Sequence, residues 1–277
     1  MRKQPGSSRQ KPHRTVVIVT GIPFDVHSSF ARGAALAPAR IREALYCDAG
    51  NLCTESGRDL GEGDMWQDIG DLHLPDTGDA LQRIEDHVRR LLAEDRRVLA
   101  LGGDHAVTYP ILRAYAERFP SLNVLHLDAH PDLYDELNGD RFSHACPFTR
   151  IMEEKQIRRL VQIGIRTATP HQQRQAARFG VETIRMPDWR PGTRLHFNGP
   201  LYVSIDLDCL DPAFAPGVSH HEPGGLSTRE LIRIIQGVTA PVVGADIVEY
   251  NPRRDVNGVT AVVAAKLLKE LIDLMAG

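Results

Sequence analysis

Two aspartate-rich clusters, each tied to a mainly apolar segment, constrain the fold of this chain more than any other feature. The first cluster, residues 128–132, reads Asp-Ala-His-Pro-Asp and directly follows the run 122–127. The second, residues 204–212, reads Ser-Ile-Asp-Leu-Asp-Cys-Leu-Asp-Pro and begins within the run 201–205. Short apolar runs that end abruptly in charged groups are typical of buried strands that reach a polar edge of a sheet.

The spacing of the acids within these clusters points to a metal site. Residues two apart in an extended chain point to the same side, so Asp128, His130 and Asp132 can face one point, as can Asp206 and Asp208. Carboxylates gathered beside an apolar core repel one another and lose hydration unless a cation is present. The number of carboxylates favours two ions over one. The alternative is a set of surface-turn aspartates, as at Asp211-Pro212.

The alternation of strand-like and helical patterns predicts an α/β fold. Short apolar strands separated by amphipathic helices form a mostly parallel sheet with both faces covered, which is a single three-layer domain. In such sheets the ligand crevice lies beyond the carboxyl ends of the strands, where the aspartate clusters fall. The predicted strands are 15–20, 97–101, 122–127, 159–165, 181–186, 201–205 and 241–245, and the predicted helices are 79–94, 109–119, 170–179, 227–237 and 259–275.

Composition excludes several classes of function. With 277 residues, 42% of them hydrophobic, and a net charge of −3, the chain has neither a basic stripe for nucleic acid nor an apolar span or signal core for a membrane. Its four cysteines lack disulfide or metal spacing, which predicts a reducing compartment and a cytoplasmic location. Residues 1–14 are basic and predict a flexible tail, followed by one domain over 15–277.

Two further strand ends carry residues with chemical potential. The run 97–101 leads into Gly102-Gly103-Asp104-His105, where paired glycines let the backbone turn sharply and place His105 over the sheet edge. Glu249 follows the run 241–245 closely enough to reach a cationic substrate, and His144 lies downstream of the first aspartate cluster. Taken alone, His105 is better explained as a structural histidine and His144 as a loop-surface histidine, and Glu249 is as well explained as a surface or helix-capping residue. The position of His105 at a third strand end beside the aspartate clusters favours a metal ligand instead.

The residue types in these clusters favour particular metals. Hard carboxylate oxygens with a minority of imidazoles and no thiolate favour Mn²⁺ or Mg²⁺ over a structural Zn²⁺. Two such ions about 3.5–4 Å apart can share one water and hold it as hydroxide near neutral pH. A histidine that lies over the ions without binding them can carry protons to a leaving group, a role that His144 can fill.

Taken together, these segments resemble the ureohydrolase family, which comprises arginases, agmatinases and related guanidino-hydrolases. The resemblance is nearest to bacterial agmatinases and plant-type arginases. It implies one arginase-like α/β catalytic domain over 15–277, two Mn²⁺ per subunit and assembly into a homotrimer or homohexamer. The segments that carry it span nearly the whole chain: 21–25, 28–30, 37–42, 102–105, 128–132, 204–212 and 246–252.

Carried over position by position, the resemblance implies a complete metal site. The positions that match the ligands of one Mn²⁺ are His105, Asp128, Asp132 and Asp206. Those that match the ligands of the other are Asp128, His130, Asp206 and Asp208, so that Asp128 and Asp206 bridge the two ions.

The same resemblance implies three catalytic roles. His144 matches the family's proton-transfer histidine, and Glu249 matches the carboxylate that pairs with the substrate guanidinium. A hydroxide that bridges the metals would attack the guanidinium carbon, and Asp132 and His144 are the candidates for moving a proton to the departing amine. The products would be urea and a primary amine.

The substrate is predicted less directly than the reaction. Animal-type arginases carry asparagine two residues after the second aspartate of the first cluster, where this chain has Tyr134, and this favours agmatinase, which converts agmatine to putrescine and urea. The segments 130–135, 143–145 and 216–225 also resemble plant-type arginases, which leaves arginase, or hydrolysis of another guanidino acid, as the alternative. Two alternatives of other classes are a single-zinc deacylase and a non-catalytic metal-binding protein.

Overall fold

The computed structural model describes residues 16–74 and 78–277, and the predicted basic tail at 1–14 lies outside these ranges. Within them the chain forms one α/β domain around an eight-stranded sheet. The strands are β1 (Val17–Gly21), β2 (Trp66–Asp71), β3 (Arg97–Leu101), β4 (Asn123–Leu127), β5 (Arg159–Ile165), β6 (Glu182–Arg185), β7 (Leu201–Asp206) and β8 (Val242–Val248).

The described part of the chain has seven α-helices, of which six connect strands and α7 follows the last strand. All strand pairs are parallel, and the strand order across the sheet is β2-β1-β3-β8-β7-β4-β5-β6. The helices are α1 (Ala37–Leu45), α2 (Ala80–Ala93), α3 (Thr108–Arg118), α4 (Pro147–Glu153), α5 (Pro170–Phe179), α6 (Thr228–Gln236) and α7 (Val259–Ala276).

Two apolar cores, one on each face of the sheet, produce the three layers. Helices α1, α6 and α7 pack on one face and α2 to α5 on the other. Alternate strand residues serve the two cores: Leu125 and Val203 belong to the first, and Val124 and Tyr202 to the second. The predicted fold class, a single three-layer α/β domain with a parallel sheet, is confirmed.

Sequence patterns located most strands but missed one strand and two helices. Strand β2 is an edge strand whose residues alternate between half-buried and exposed, so no apolar run marks it. Helices α1 and α4 have only nine and seven residues and no side-chain cap at their amino-terminal ends, whereas α6, also nine residues long, begins with a capping box. Strand β8 extends three residues beyond its predicted end because Asp246, an expected break, lies buried within it.

The strand order places the four chemically unusual segments side by side. Strands β3, β8, β7 and β4 are consecutive neighbours in the middle of the sheet. Since all of them are parallel, their carboxyl ends meet at one edge. No helix in the described ranges is both long and apolar enough to cross a membrane.

Candidate metal centre

A tight turn after β3 carries His105 into the centre. A Cβ atom on Gly103 would lie 1.6 Å from the carbonyl oxygen of Phe24, so only glycine permits this close approach of two backbones. His105 then begins a 3-10 helix, His105–Val107, whose first turn is capped by the Asp104 side chain accepting from the Ala106 amide at 3.2 Å. The imidazole of His105 is fully buried.

The two aspartate clusters reach the same point by turns rather than by extended chain. Strand β4 ends at Leu127, and Asp132 has a φ of 50°, in the left-handed region. Asp206 is the last residue of β7 and accepts from the Asp208 amide at 2.8 Å, while Asp208 lies in a 3-10 helix. The alternation predicted for an extended segment is therefore not what gathers these side chains.

Three carboxylates surround one nitrogen of His105. Its Nδ1 atom lies 3.3 Å from Asp128 Oδ2, 3.0 Å from Asp132 Oδ2 and 3.2 Å from Asp206 Oδ2. The four residues are buried and come from three different strand ends. They are the four positions expected to bind one Mn²⁺.

A second group forms on the other side of Asp128. His130 Nδ1 lies 3.0 Å from Asp208 Oδ2 and 3.4 Å from Asp128 Oδ1. Ligand atoms of Asp128, His130 and Asp208 all lie within 4.8 Å of one another. The two oxygens of Asp128 thus face different groups, as a bridging carboxylate requires.

Hydrogen bonding behind His105 fits a cation at the first group. The Ser204 hydroxyl donates to Asp246 Oδ1 at 2.7 Å, so its oxygen accepts from His105 Nε2 at 3.0 Å. With its proton on Nε2, the neutral ring presents a lone pair at Nδ1, which faces the three carboxylates without a hydrogen-bond partner among the described residues. A lone pair and three carboxylate oxygens repel one another unless a cation lies between them.

The acidity of the aspartates leads to the same conclusion. Burial raises the pKa of Asp206 well above its ordinary value, and the charges of Asp208 and Asp128 raise it further. Burial also raises the pKa of Asp208 to about 6, against the lowering effect of His130. These acids therefore resist ionisation in the protein alone, and bound divalent ions would supply the missing positive charge. The donor set fits hard ions such as Mn²⁺.

His144 and Glu249 lie together beside these two groups of candidate metal ligands. Glu249 follows β8 with a φ of 63°, and its Oε1 atom accepts from the His105 amide at 2.9 Å and lies 2.8 Å from His144 Nδ1. Burial lowers the pKa of His144, but the charge and hydrogen bond of Glu249, together with the charges of Asp132 and Asp104, outweigh this effect and raise the pKa to about 9. The other ring nitrogen of His144 lies 2.8 Å from the hydroxyl of Ser29.

A cavity of about 190 Å³ opens over these groups. Its floor contains the metal-facing acids, His144 and Glu249, and its walls contain neutral polar side chains. His220 lies in the wall with its ring centroid 5.1 Å from that of His144, whereas His221 is exposed. The lining residues are Ser29, His130, Asp132, Tyr134, Leu137, His144, Ala145, Thr167, Thr169, Gln172, Asp206, Asp208, His220 and Glu249.

Several residues of the centre were not predicted from the sequence. His126, Gln162, Ser204 and Asp246 are buried inside strands and stand in one row, in register across β5, β4, β7 and β8. Each is a polar residue in an otherwise apolar run, which is a detectable signal. Their alignment was not detectable, because it depends on the register between strands.

Comparisons with known proteins agree with this centre. A family model described as "Arginase family" matches residues 15–273. "Arginase 1, mitochondrial" from Arabidopsis thaliana is 46% identical, covering 91% of this chain and 78% of its own length. An agmatinase from Neisseria meningitidis is 37% identical over 93% of this chain and 86% of its own. The solved arginase from Medicago truncatula superposes with a TM-score of 0.89 at 43% identity, covering 95% and 88% of the two chains.

The expected cytoplasmic location is contradicted by the names of the plant relatives. Arginases from Arabidopsis, Medicago and rice are named mitochondrial, and a second one from Arabidopsis is named chloroplastic/mitochondrial. All four cysteines of this chain are free, as expected. The expectation failed because unpaired thiols report only a reducing environment, which does not separate the cytoplasm from organelle interiors.

Relatives named as arginases and as agmatinases therefore share the fold and most of the length of this chain. The family model spans all of the strands and helices that form the centre. The chain belongs to the arginase family and is a hydrolase that acts on the C–N bonds of guanidino groups.

Proposed function

We propose that this protein is an arginase, which converts arginine and water to ornithine and urea. The proposal rests on one observation: two groups of candidate metal ligands lie next to Glu249 and His144 at the base of one cavity. The comparisons favour arginase over the agmatinase reaction expected from Tyr134, since the plant arginases are 41–46% identical and the agmatinase is 37% identical. Tyr134 excludes one way of binding an amino-acid tail, but not the tail itself.

Two Mn²⁺ per subunit complete the proposed centre. When bound, they would supply a hydroxide at neutral pH as the nucleophile. One ion would be held by His105, Asp128, Asp132 and Asp206, and the other by Asp128, His130, Asp206 and Asp208.

Glu249 would hold the guanidinium group in line for attack. Its Oε1 atom is already fixed by the His105 amide and by His144, so its orientation is set before substrate arrives. The second oxygen, Oε2, is left to accept from the planar guanidinium fork. Charge-assisted hydrogen bonds of this kind add both energy and direction, and they place the reacting carbon over the metal-facing carboxylates.

His144 and Asp132 would handle the proton that leaves with the amine. The charge of Glu249 favours the protonated form of His144, whose ring lies at the cavity floor. Asp132 lies 3.0 Å from His105 and lines the same cavity. A proton can therefore pass from the floor to the departing amine without crossing bulk water.

The cavity wall is compatible with the carboxylate of an amino-acid tail. Thr167, Thr169 and Gln172 are neutral hydrogen-bonding groups at the start of α5, whose amino-terminal end carries partial positive charge. Tyr134 adds a phenol on the neighbouring wall. Agmatine has no carboxylate and would leave these groups without a charged partner.

A substrate comparison tests the proposal. The Mn²⁺-loaded protein would be assayed for urea release with arginine, agmatine and guanidinobutyrate, which has a carboxylate but no α-amine. We expect the highest kcat/KM with arginine and a lower value with agmatine. A higher kcat/KM for agmatine would replace arginase by agmatinase, and no urea from any guanidine would reject the function.

The proposal also includes the domain boundaries and the oligomeric state. We expect one catalytic domain over 15–277 and a homotrimer or homohexamer. Sedimentation velocity of the purified protein would measure the assembly directly, and a monomer at micromolar concentration would contradict it.

A further inference from the structure

His126 is a buried histidine that has no role in the proposed mechanism, although it lies next to the candidate metal ligands. It lies in β4, two residues before Asp128, and is fully buried. Its Nε2 atom lies 2.7 Å from Asp128 Oδ2, and its Nδ1 atom lies 3.0 Å from Gln162 Nε2. Atoms of His126, His105 and Asp128 are also close enough to hold a metal ion together. His126 can therefore be either a metal ligand or a hydrogen-bond donor to one.

Gln162 decides between these two roles. Its Nε2 atom donates to the Pro131 carbonyl oxygen at 2.7 Å. A carbonyl oxygen only accepts, so the amide nitrogen of Gln162 must be the atom that points this way. The same nitrogen faces His126 Nδ1, and it can only donate there too. His126 Nδ1 therefore carries no proton, and its lone pair accepts a hydrogen bond from Gln162.

The proton of the neutral His126 ring then lies on Nε2, facing Asp128. An N–H group donates to a carboxylate and cannot bind a metal ion at the same time. Both ring nitrogens of His126 are thus occupied by hydrogen bonds. The ring is held in its plane by Phe148, whose ring centroid lies 3.9 Å away at an interplanar angle of 30°.

Asp128 is consequently fixed at both oxygens. Its Oδ2 atom accepts from His126, and its Oδ1 atom accepts from the His130 amide at 2.6 Å. Oδ2 faces the His105 group and Oδ1 faces the His130 group. Fixing each oxygen separately sets the direction in which the carboxylate can bridge.

We propose that His126, held in one tautomer by Gln162, is a positioning residue that aims Asp128 at the metal ions without binding them. This inference rests on the proposed binuclear centre. Gln162 contributes twice, since its bond to Pro131 also ties the turn that carries His130 and Asp132 to β5. Donors behind metal-binding groups commonly change metal affinity by roughly 10- to 100-fold when removed.

Three variants separate this role from the alternatives. His126→Phe keeps a flat ring but removes the donor to Asp128. Gln162→Leu keeps the volume but leaves His126 free to change tautomer. Thr183→Val is the matched control, because Thr183 donates only to the far side of Gln162, at 3.4 Å from Oε1.

Mn²⁺ affinity and stoichiometry would be measured by titration with detection of free Mn²⁺ by electron paramagnetic resonance. We expect two Mn²⁺ per subunit in every variant, with affinity lowered roughly 10- to 100-fold in His126→Phe. The same direction of change is expected in Gln162→Leu, and wild-type affinity in Thr183→Val. Wild-type affinity in His126→Phe would overturn the inference, and one Mn²⁺ per subunit would show that His126 is a ligand.

The tautomer provides a readout that does not depend on the variants folding well. The ¹⁵N shifts of the His126 ring in the wild-type protein should show a neutral ring with its proton on Nε2, both without metal and with diamagnetic Mg²⁺ in place of paramagnetic Mn²⁺. A proton on Nδ1, or a change in the ¹⁵N shifts of the His126 ring that shows direct metal binding, would overturn the inference while leaving the binuclear centre in place. Absence of Mn²⁺ binding by the wild-type protein would reject both.

Discussion

Replacing Glu249 by glutamine tests the proposed site most directly. Glu249 lies at the cavity floor, buried, and its Oε1 atom accepts hydrogen bonds from the His105 amide and from His144. Glutamine keeps the size of the side chain and an oxygen that can accept the same bonds. The substitution therefore removes the negative charge and little else.

The size of the effect follows from the burial of that charge. A guanidinium group bound opposite a neutral amide would be a buried cation without its partner, which costs about 3–5 kcal/mol. At about 1.4 kcal/mol for each factor of ten, kcat/KM for arginine should fall roughly 10²- to 10⁴-fold. Mn²⁺ content should not change, because Glu249 is not one of the proposed ligands.

The same substitution should change the acidity of His144. In the wild-type protein burial lowers the pKa of this imidazole, but Glu249, with smaller contributions from Asp132 and Asp104, raises it to about 9. Without that charge, burial acts with less opposition and the pKa of His144 should fall. The imidazolium form would then be lost at a lower pH, which a side-chain NMR titration would detect.

The assay is urea release under saturating Mn²⁺, with metal content measured on the same samples. Glu136→Gln is the matched control, since Glu136 is exposed on the loop between the first aspartate cluster and His144. It should retain wild-type kcat/KM. If Glu249→Gln kept more than a tenth of the wild-type value, or lost its Mn²⁺, the assignment of Glu249 to substrate binding would be wrong.

Three further changes have expected outcomes. Ser204→Ala removes the acceptor for His105 Nε2, so Mn²⁺ affinity should fall by roughly 10-fold or more, and a metal titration checks this. Tyr115→Phe leaves a buried amide of β3 unpaired and should lower the free energy of unfolding by about 1–3 kcal/mol, as measured by urea denaturation. The hydrogen bonds from Arg229 lower the pKa of Glu55 from 4.5 to about 2, so their stabilising effect is complete above pH 4.5 and is lost as the pH falls toward 2. Glu55→Gln should therefore reduce the acid dependence of stability over that range, and unchanged dependence would contradict it.

The fold was predictable from sequence where burial leaves a continuous apolar run. Strands β3 and β5 begin and end where the runs do, and the capping box that starts α6 at Ser227 is present. Strand β2 was not predictable, because an edge strand needs only one weakly apolar side. The early end predicted for β8 had a different cause: Asp246 reads as a break, but three hydroxyl donors compensate its burial.

The chemistry of the site was predictable in residue type more than in geometry. Aspartates and histidines at strand ends indicated a metal site, and the structure gathers His105, Asp128 and Asp206 around one point. The turn at Asp132, with its left-handed backbone, had no signal in the sequence. Hydrogen bonds behind the centre also had none, since they depend on which residues of parallel strands stand side by side.

The row of buried polar residues explains how a sheet can hold a charged centre rigidly. Asp246 and Ser204 form one chain that ends on His105 Nε2, and Gln162 and His126 form another that ends on Asp128 Oδ2. Both chains run across neighbouring strands in the interior of the sheet, and both end on residues proposed to bind the metal ions. Residues of the loops 134–143 and 215–226, such as Tyr134, Leu137 and His220, line the cavity instead. Substitutions of these buried strand residues should therefore alter metal affinity, whereas substitutions in the loops should alter the choice of substrate. The effects of the two kinds of substitution should be nearly additive.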